Sequence, residues 1–122
     1  MSDFTDPAVI QGYHAHVYYD DAGKAAAEVL RGGIERRFGD AVNLGRRHDG
    51  PVGPHPMGSY QNAFDAALFA DIVPWLALNR GGLVVLVHPE TGDDLRDHRD
   101  RALWLGAGQT LDFSIFDDAG AG

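Results

Sequence analysis

Ile10-Gln11-Gly12-Tyr13-His14-Ala15-His16-Val17-Tyr18-Tyr19 decides how the rest of the chain is read. The stretch is dense in β-branched and aromatic residues and predicts a strand. Side chains alternate across a strand, so Gly12, His14, His16 and Tyr18 share one face, and Tyr13, Ala15, Val17 and Tyr19 the other. Beyond it, Asp20-Asp21 open a helix, with acids at its positive end. The expected apolar stripe is Ala26, Val29, Leu30, Gly33, Ile34 and Phe38. Gly32-Gly33 costs such a helix about 1 kcal/mol per glycine against alanine, which implies a close packing partner.

Residues 41–48 read as a weaker strand and 59–64 as its hairpin partner, joined by the loop Asp49-Gly50-Pro51-Val52-Gly53-Pro54-His55-Pro56. Asp65 caps a second helix with the stripe Leu68, Phe69, Ile72, Trp75 and Leu76, and Gly81-Gly82 ends it. Pro74 inside that helix predicts a kink or a break, because proline lacks the N–H and clashes one turn back. Residues 83–88 form the most apolar strand. The order β-α-β-β-α-β matches an α+β ferredoxin-like sandwich, an antiparallel sheet with two helices on one face. The other face then needs cover, from a second copy in a homodimer or from the segment beginning at Leu95. Residues 93–106 read equally as a short helix or an extended arm.

A chain of 122 residues fits one domain. We expect a flexible lead-in at 1–8, a single domain at 9–116 and a flexible tail at 117–122. No cysteine is present, which excludes disulfides, thiolate metal sites and a cysteine nucleophile. A formal charge of −8 argues against nucleic acid as a partner. No apolar run approaches the roughly 20 residues that span a membrane, and the N-terminus does not read as a signal peptide, so the expected location is cytoplasmic. Walker, dinucleotide-binding and nucleophile-elbow motifs are missing.

Among six histidines, His14 and His16 would project from one strand face about 6.6–7 Å apart, a spacing that suits two imidazoles converging on one cation. Alone the pair is weak, since hydrogen-bonded or exposed histidines look the same. In the expected topology the last strand lies antiparallel beside the first, which brings His88 toward His14. His55, between Pro54 and Pro56, is a polar ring on a stiff loop, although turn chemistry alone could explain the prolines. Histidines with at most one carboxylate and open positions suit non-heme Fe(II), with zinc second. Glu90, or less readily Asp97, could supply that carboxylate; an all-histidine set is the alternative. His48 reads as a surface residue and His98 as part of a solvated charged face, though either could carry protons beside a metal. Tyr18, on the face of His14 and His16, is the best candidate to contact a planar aromatic substrate. Tyr60 is a candidate pocket wall.

Several blocks resemble the DOPA 4,5-dioxygenase family of small single-domain proteins. They are Tyr13-His14-Ala15-His16-Val17-Tyr18, Gly50-Pro51-Val52-Gly53-Pro54-His55-Pro56, and Val73-Pro74-Trp75-Leu76-Ala77-Leu78-Asn79-Arg80-Gly81-Gly82-Leu83. Val87-His88-Pro89-Glu90-Thr91-Gly92-Asp93 and Asp97-His98 followed by Ala102-Leu103-Trp104-Leu105-Gly106 complete the set. The resemblance covers residues 10–116 and implies extradiol cleavage of a catechol by non-heme Fe(II) and O₂, giving a semialdehyde. It places the family's histidines on His14, His16, His55 and His88. The expected ligands are His16, His55 and His88, with His14 a fourth ligand or an acid/base, and His98 and Tyr18 assisting. A DOPA-like carboxylate would need a cation, from Arg46, Arg47 or Arg80. Two other classes compete: a dimeric module that binds a small ligand or metal without turnover, and a zinc-dependent hydrolase.

Overall fold

β1 (Gly12–Tyr19) is the middle strand of a five-stranded antiparallel sheet with the order β2-β3-β1-β4-β5. The fold is that of a computed structural model in which residues 3–116 are described; the outermost residues of the expected lead-in and the whole expected tail, 117–122, lie outside them. β2 (Val42–Leu44) and β3 (Gly58–Phe64) form the expected hairpin, and β4 (Val84–Glu90) lies on the opposite side of β1. This is the ferredoxin-like arrangement with one strand added: β5 (Leu103–Leu105) pairs with the outer edge of β4. The ambiguous segment 93–106 resolves into both of its readings, a helix α3 (Asp94–Arg99) and then β5. At the chain start, Pro7–Val9 forms a 3₁₀ turn capped by Asp6, and Gln11 N–H donates to Glu90 O at 2.8 Å.

The two longer helices, α1 (Lys24–Phe38) and α2 (Phe69–Asn79), cover one face. Ala15, Val17 and Tyr19 of β1 meet Val85 and Val87 of β4 and Tyr60 and Phe64 of β3 in the core beneath them. Ile34, Ile72 and Leu76 are wholly excluded from solvent there, each contributing about 1.5–3 kcal/mol of burial. The stripe of α1 is rotated from the expected one. Ala27, Leu30, Arg31 and Ile34 point inward, while Val29 is 73% exposed. Arg31 is tolerated there because its aliphatic stem packs inward while its guanidinium lies over the Tyr60 ring and donates to Gly45 O. The expected close partner of the glycine pair is Trp75, whose ring would stand 3.1 Å from a Cβ at Gly33.

Pro74 does not divide α2, which is continuous from Phe69 to Asn79. Past the first turn, Pro74 costs the helix only the bond its N–H would have made to the carbonyl of Ala70. The second strand is shorter than expected and leaves residues 45–57 as a long loop.

The second face of the sheet carries Tyr18 and Leu86, packed with Leu111 and partly buried Met57, Trp104 and Phe113. The chain itself supplies much of the cover that the sequence left to a partner or to the C-terminal segment. α3, the loop carrying His55 and residues 111–116 lie over this face, fastened by Asp112 N–H donating to Pro54 O at 2.9 Å.

Candidate metal centre

Strand alternation places His14 and His16 of β1 on this second face, and antiparallel pairing sets His88 directly opposite His14 and Leu86 opposite His16. The backbone register therefore delivers three imidazoles to one point. Donor atoms of His14, His16 and His88 all lie within 4.8 Å of one another. His16 Nε2 and His88 Nε2 are 3.0 Å apart. His88 Nδ1–H donates to Pro89 O at 3.0 Å, which fixes its tautomer and leaves Nε2 with a lone pair facing His16.

Two further rings join the cluster. His98, on α3, lies with its ring 3.9 Å from that of His88 and 4.7 Å from Phe116. Its Nδ1–H donates to Asp94 O at 2.8 Å, so its Nε2 also keeps a lone pair. His55 lies with its ring 4.2 Å from that of His16, and its Nδ1 is 2.6 Å from Tyr18 OH. Its position is set by a tight turn in which His55 N–H donates to Val52 O across Gly53, at φ 54, and Pro54.

Burial keeps His16, His55 and His88 uncharged. It lowers His88 to about 3 and His55 to about 4, with the neighbouring histidines adding to both shifts. Burial first, and then repulsion from His55 and His88, holds His16 well below the usual imidazole range. His14, less enclosed, is also lowered. Neutral imidazoles are the form that binds a cation. Glu90 stands at the edge of the group, its Oε1 3.0 Å from His14 Nδ1 and 3.4 Å from His88 Nδ1. Burial, aided by Asp94 and Asp97, raises its carboxyl to about 7.

The residues fit a resident metal. Two nitrogens bound at about 2.1 Å to one octahedral ion lie about 3 Å apart, which is the separation His16 and His88 already have. A carboxylate beside the Nδ1 atoms is the usual support for histidines that ligate through Nε2.

A cavity of ≈ 470 Å³ opens against His16 and His55 and is lined further by Arg46, His48, Ser59 and Gln61. A second, of ≈ 490 Å³, meets the cluster at His14 and Glu90 and is bordered by Asp40 and Asp65. Arg46 has no hydrogen bond or ion pair among the described residues. Arg47 is paired with Glu28, and Arg80 donates to Leu83 O at 2.9 Å. Tyr60 faces the helices, its hydroxyl donating to Ala27 O at 2.9 Å. The structure therefore brings His14, His16, His55, His88, His98, Glu90 and Tyr18 together. Tyr60 also borders the cavity beside His16 and His55, with its hydroxyl turned away to Ala27 O; Arg80 is not among the residues lining that cavity.

Of the two readings the sequence leaves for His98, a solvated face or a proton carrier beside a metal, burial excludes the first: it is 9% exposed, drawn in by the packing of α3 on β4. Asp97, the second choice for a ligating carboxylate, is wholly buried beside it and bonded to Thr91 and Arg101 instead.

A family model described as the Dopa 4,5-dioxygenase family matches residues 13–115. The chain is 40% identical over 104 residues to a DOPA 4,5-dioxygenase of Amanita muscaria, an alignment covering 80% of this chain and 46% of that protein. The chain thus spans about half the length of that relative. A 21.2 kDa uncharacterized protein of Botryotinia fuckeliana is 36% identical over 126 residues, covering 92% of this chain and 68% of the other. A crystal structure from Nostoc punctiforme PCC 73102, described as a putative dioxygenase, superposes with a TM-score of 0.91 at 48% identity. It covers 95% of this chain and 99% of its own.

Proposed function

We propose that this chain, which belongs to the Dopa 4,5-dioxygenase family, is an iron-dependent extradiol dioxygenase for catechols that carry an anionic side chain. The observation that carries the reading is the converging trio His14, His16 and His88, the first half-buried and the other two buried, beside a cavity. This trio, rather than one including His55, is our ligand set. Glu90 holds the Nδ1 side of His14 and His88 and does not itself ligate. When bound, Fe(II) would supply Lewis acidity toward a catechol and redox access to O₂.

The chain's own residues do the rest. The cavity beside His16 and His55 receives the catechol ring and excludes water from it. His55, neutral at pH 7 and held through Nδ1 by Tyr18, stands at the cavity wall where a phenolic proton is released, and accepts or returns it there. Burial raises the Tyr18 hydroxyl above its ordinary value, so it stays protonated and fixes the ring without exchanging its own proton. His98, its Nε2 unpaired, is the second proton carrier, next to His88. Arg46, the cation at the cavity with no partner among the described residues, takes the side-chain carboxylate.

None of the helices among the described residues is long and apolar enough to cross a membrane. The test is anaerobic loading with Fe(II), then addition of catechols under an oxygen electrode. We expect oxygen uptake matched by a yellow semialdehyde, abolished in folded His16→Ala and His88→Ala variants. No uptake with any catechol at verified iron occupancy would refute the proposal. Ester or lactone cleavage by the zinc form without oxygen would point to the hydrolase instead.

A further inference from the structure

We propose that Asp97 is the positioning residue of the histidine cluster. Its carboxylate is completely buried and meets no histidine nitrogen. Oδ2 accepts from Thr91 N–H at 2.8 Å, and Oδ1 accepts from Thr91 Oγ1 at 2.9 Å and Arg101 Nη1 at 3.0 Å. Arg101 Nη1 also donates to Thr91 Oγ1 at 2.9 Å, closing a three-residue ring. Only Asp97 is buried, the Arg101 side chain being 31% exposed. A carboxylate taken out of water against one partner is often no more stabilising than apolar residues of the same volume, so stability alone is a weak account of this network.

What the network fixes is geometry at two places. Thr91 directly follows Glu90, the carboxylate beside the Nδ1 atoms of His14 and His88. His98 directly follows Asp97, and its ring lies 3.9 Å from that of His88. One carboxylate thus ties the end of β4 to α3 and sets both the support of two ligand rings and the ring packed against one of them. The inference rests on the metal reading above.

The experiment titrates purified, metal-free protein with Co(II), followed by visible absorption and by competition with Zn(II). Asp97→Asn preserves shape but removes the charge. We expect metal affinity about ten- to a hundredfold weaker, the usual effect of removing support for ligating histidines, with an altered Co(II) spectrum. Thr91→Val, which keeps the backbone N–H bond, should weaken binding in the same direction and less. Ile72→Val, in the core on the other face, should lower stability while leaving affinity and spectrum unchanged.

A folded Asp97→Asn variant with wild-type affinity and spectrum overturns the proposal, and so does Ile72→Val weakening the metal equally. If Asp97→Asn does not fold, wild-type affinity in Thr91→Val overturns it alone. A wild-type protein that binds no Co(II) sinks the metal reading instead. Long-range ¹H–¹⁵N spectra of the metal-free histidine rings then decide on Asp97. Unchanged His88 and His98 tautomer signals in Asp97→Asn, or in Thr91→Val, would overturn its role.

Discussion

Replacing Tyr18 with phenylalanine should destabilise the protein by about 2 kcal/mol although no apolar contact is lost. Tyr18 is 1% exposed and His55 8% exposed, and their OH and Nδ1 are 2.6 Å apart. Neither atom has water to fall back on. Removing the hydroxyl forfeits a buried hydrogen bond worth about 1 kcal/mol net and leaves His55 Nδ1 an orphan, for a total cost of about 1–3 kcal/mol. For a chain of this size that is a fall of about 8 °C in Tm.

The assay is urea denaturation of wild type, Tyr18→Phe, His55→Leu and the double variant at pH 7.5, where His55, lowered to about 4, is neutral in all folded states. Each single change strands one polar atom and the double change strands neither, so the cycle should return a coupling of at least about 1 kcal/mol. Catalysis should fall as well, because an unanchored His55 no longer faces the cavity in one tautomer. A Tyr18→Phe protein within about 0.5 kcal/mol of wild type, with no coupling to His55, would refute this account of both the bond and the anchoring.

Chelator-treated protein should lose at least about 2 kcal/mol net between pH 7 and pH 5, since His16 and His14, also lowered, add to the groups counted below. His55 and His88 have folded pKa values of about 4 and about 3, below the unfolded 6.5. The unfolded chain therefore takes up protons first, and stability present above 6.5 is lost as pH falls, by about 2 kcal/mol per ring at pH 5. Glu90, raised to about 7, works in the opposite direction over the same window and offsets roughly one ring; urea midpoints at the two pH values check the balance. Gly58→Ala should cost about 1–3 kcal/mol in thermal melts, because its Cβ would lie 2.8 Å from Tyr19 O and 2.9 Å from Tyr19 Cε2. Arg46→Gln should raise KM for a carboxylated catechol about tenfold and for an uncharged one far less, as expected for a lost charge-assisted bond; equal effects on both would remove Arg46 from the anion site.

Much of the fold is legible in the chain because its signals are local. The alternation of residues 12–19 puts His14, His16 and Tyr18 on one face, glycines mark the ends of helices, and the element order allows one familiar sheet. The rotation of the α1 stripe was not legible. Alanine, valine and glycine at helical spacing leave two stripes nearly equal, and packing against Trp75 and the sheet chooses Ala27 over Val29. The continuity of α2 through Pro74 was also hidden, because an interior proline reads as a break from the sequence alone.

At the site, sequence alone determined that histidines gather on one sheet face, since strand period and topology bring His14, His16 and His88 into neighbouring positions. Which nitrogens meet was decided by tertiary structure. His55 turns its Nδ1 to Tyr18, His98 is drawn in by α3, and Arg46 finds no partner among the described residues while Arg47 and Arg80 do. Periodicity assigns a residue to a face. A tautomer, a partner or a buried charge is settled only by atoms far apart in the chain, within a few ångströms of each other.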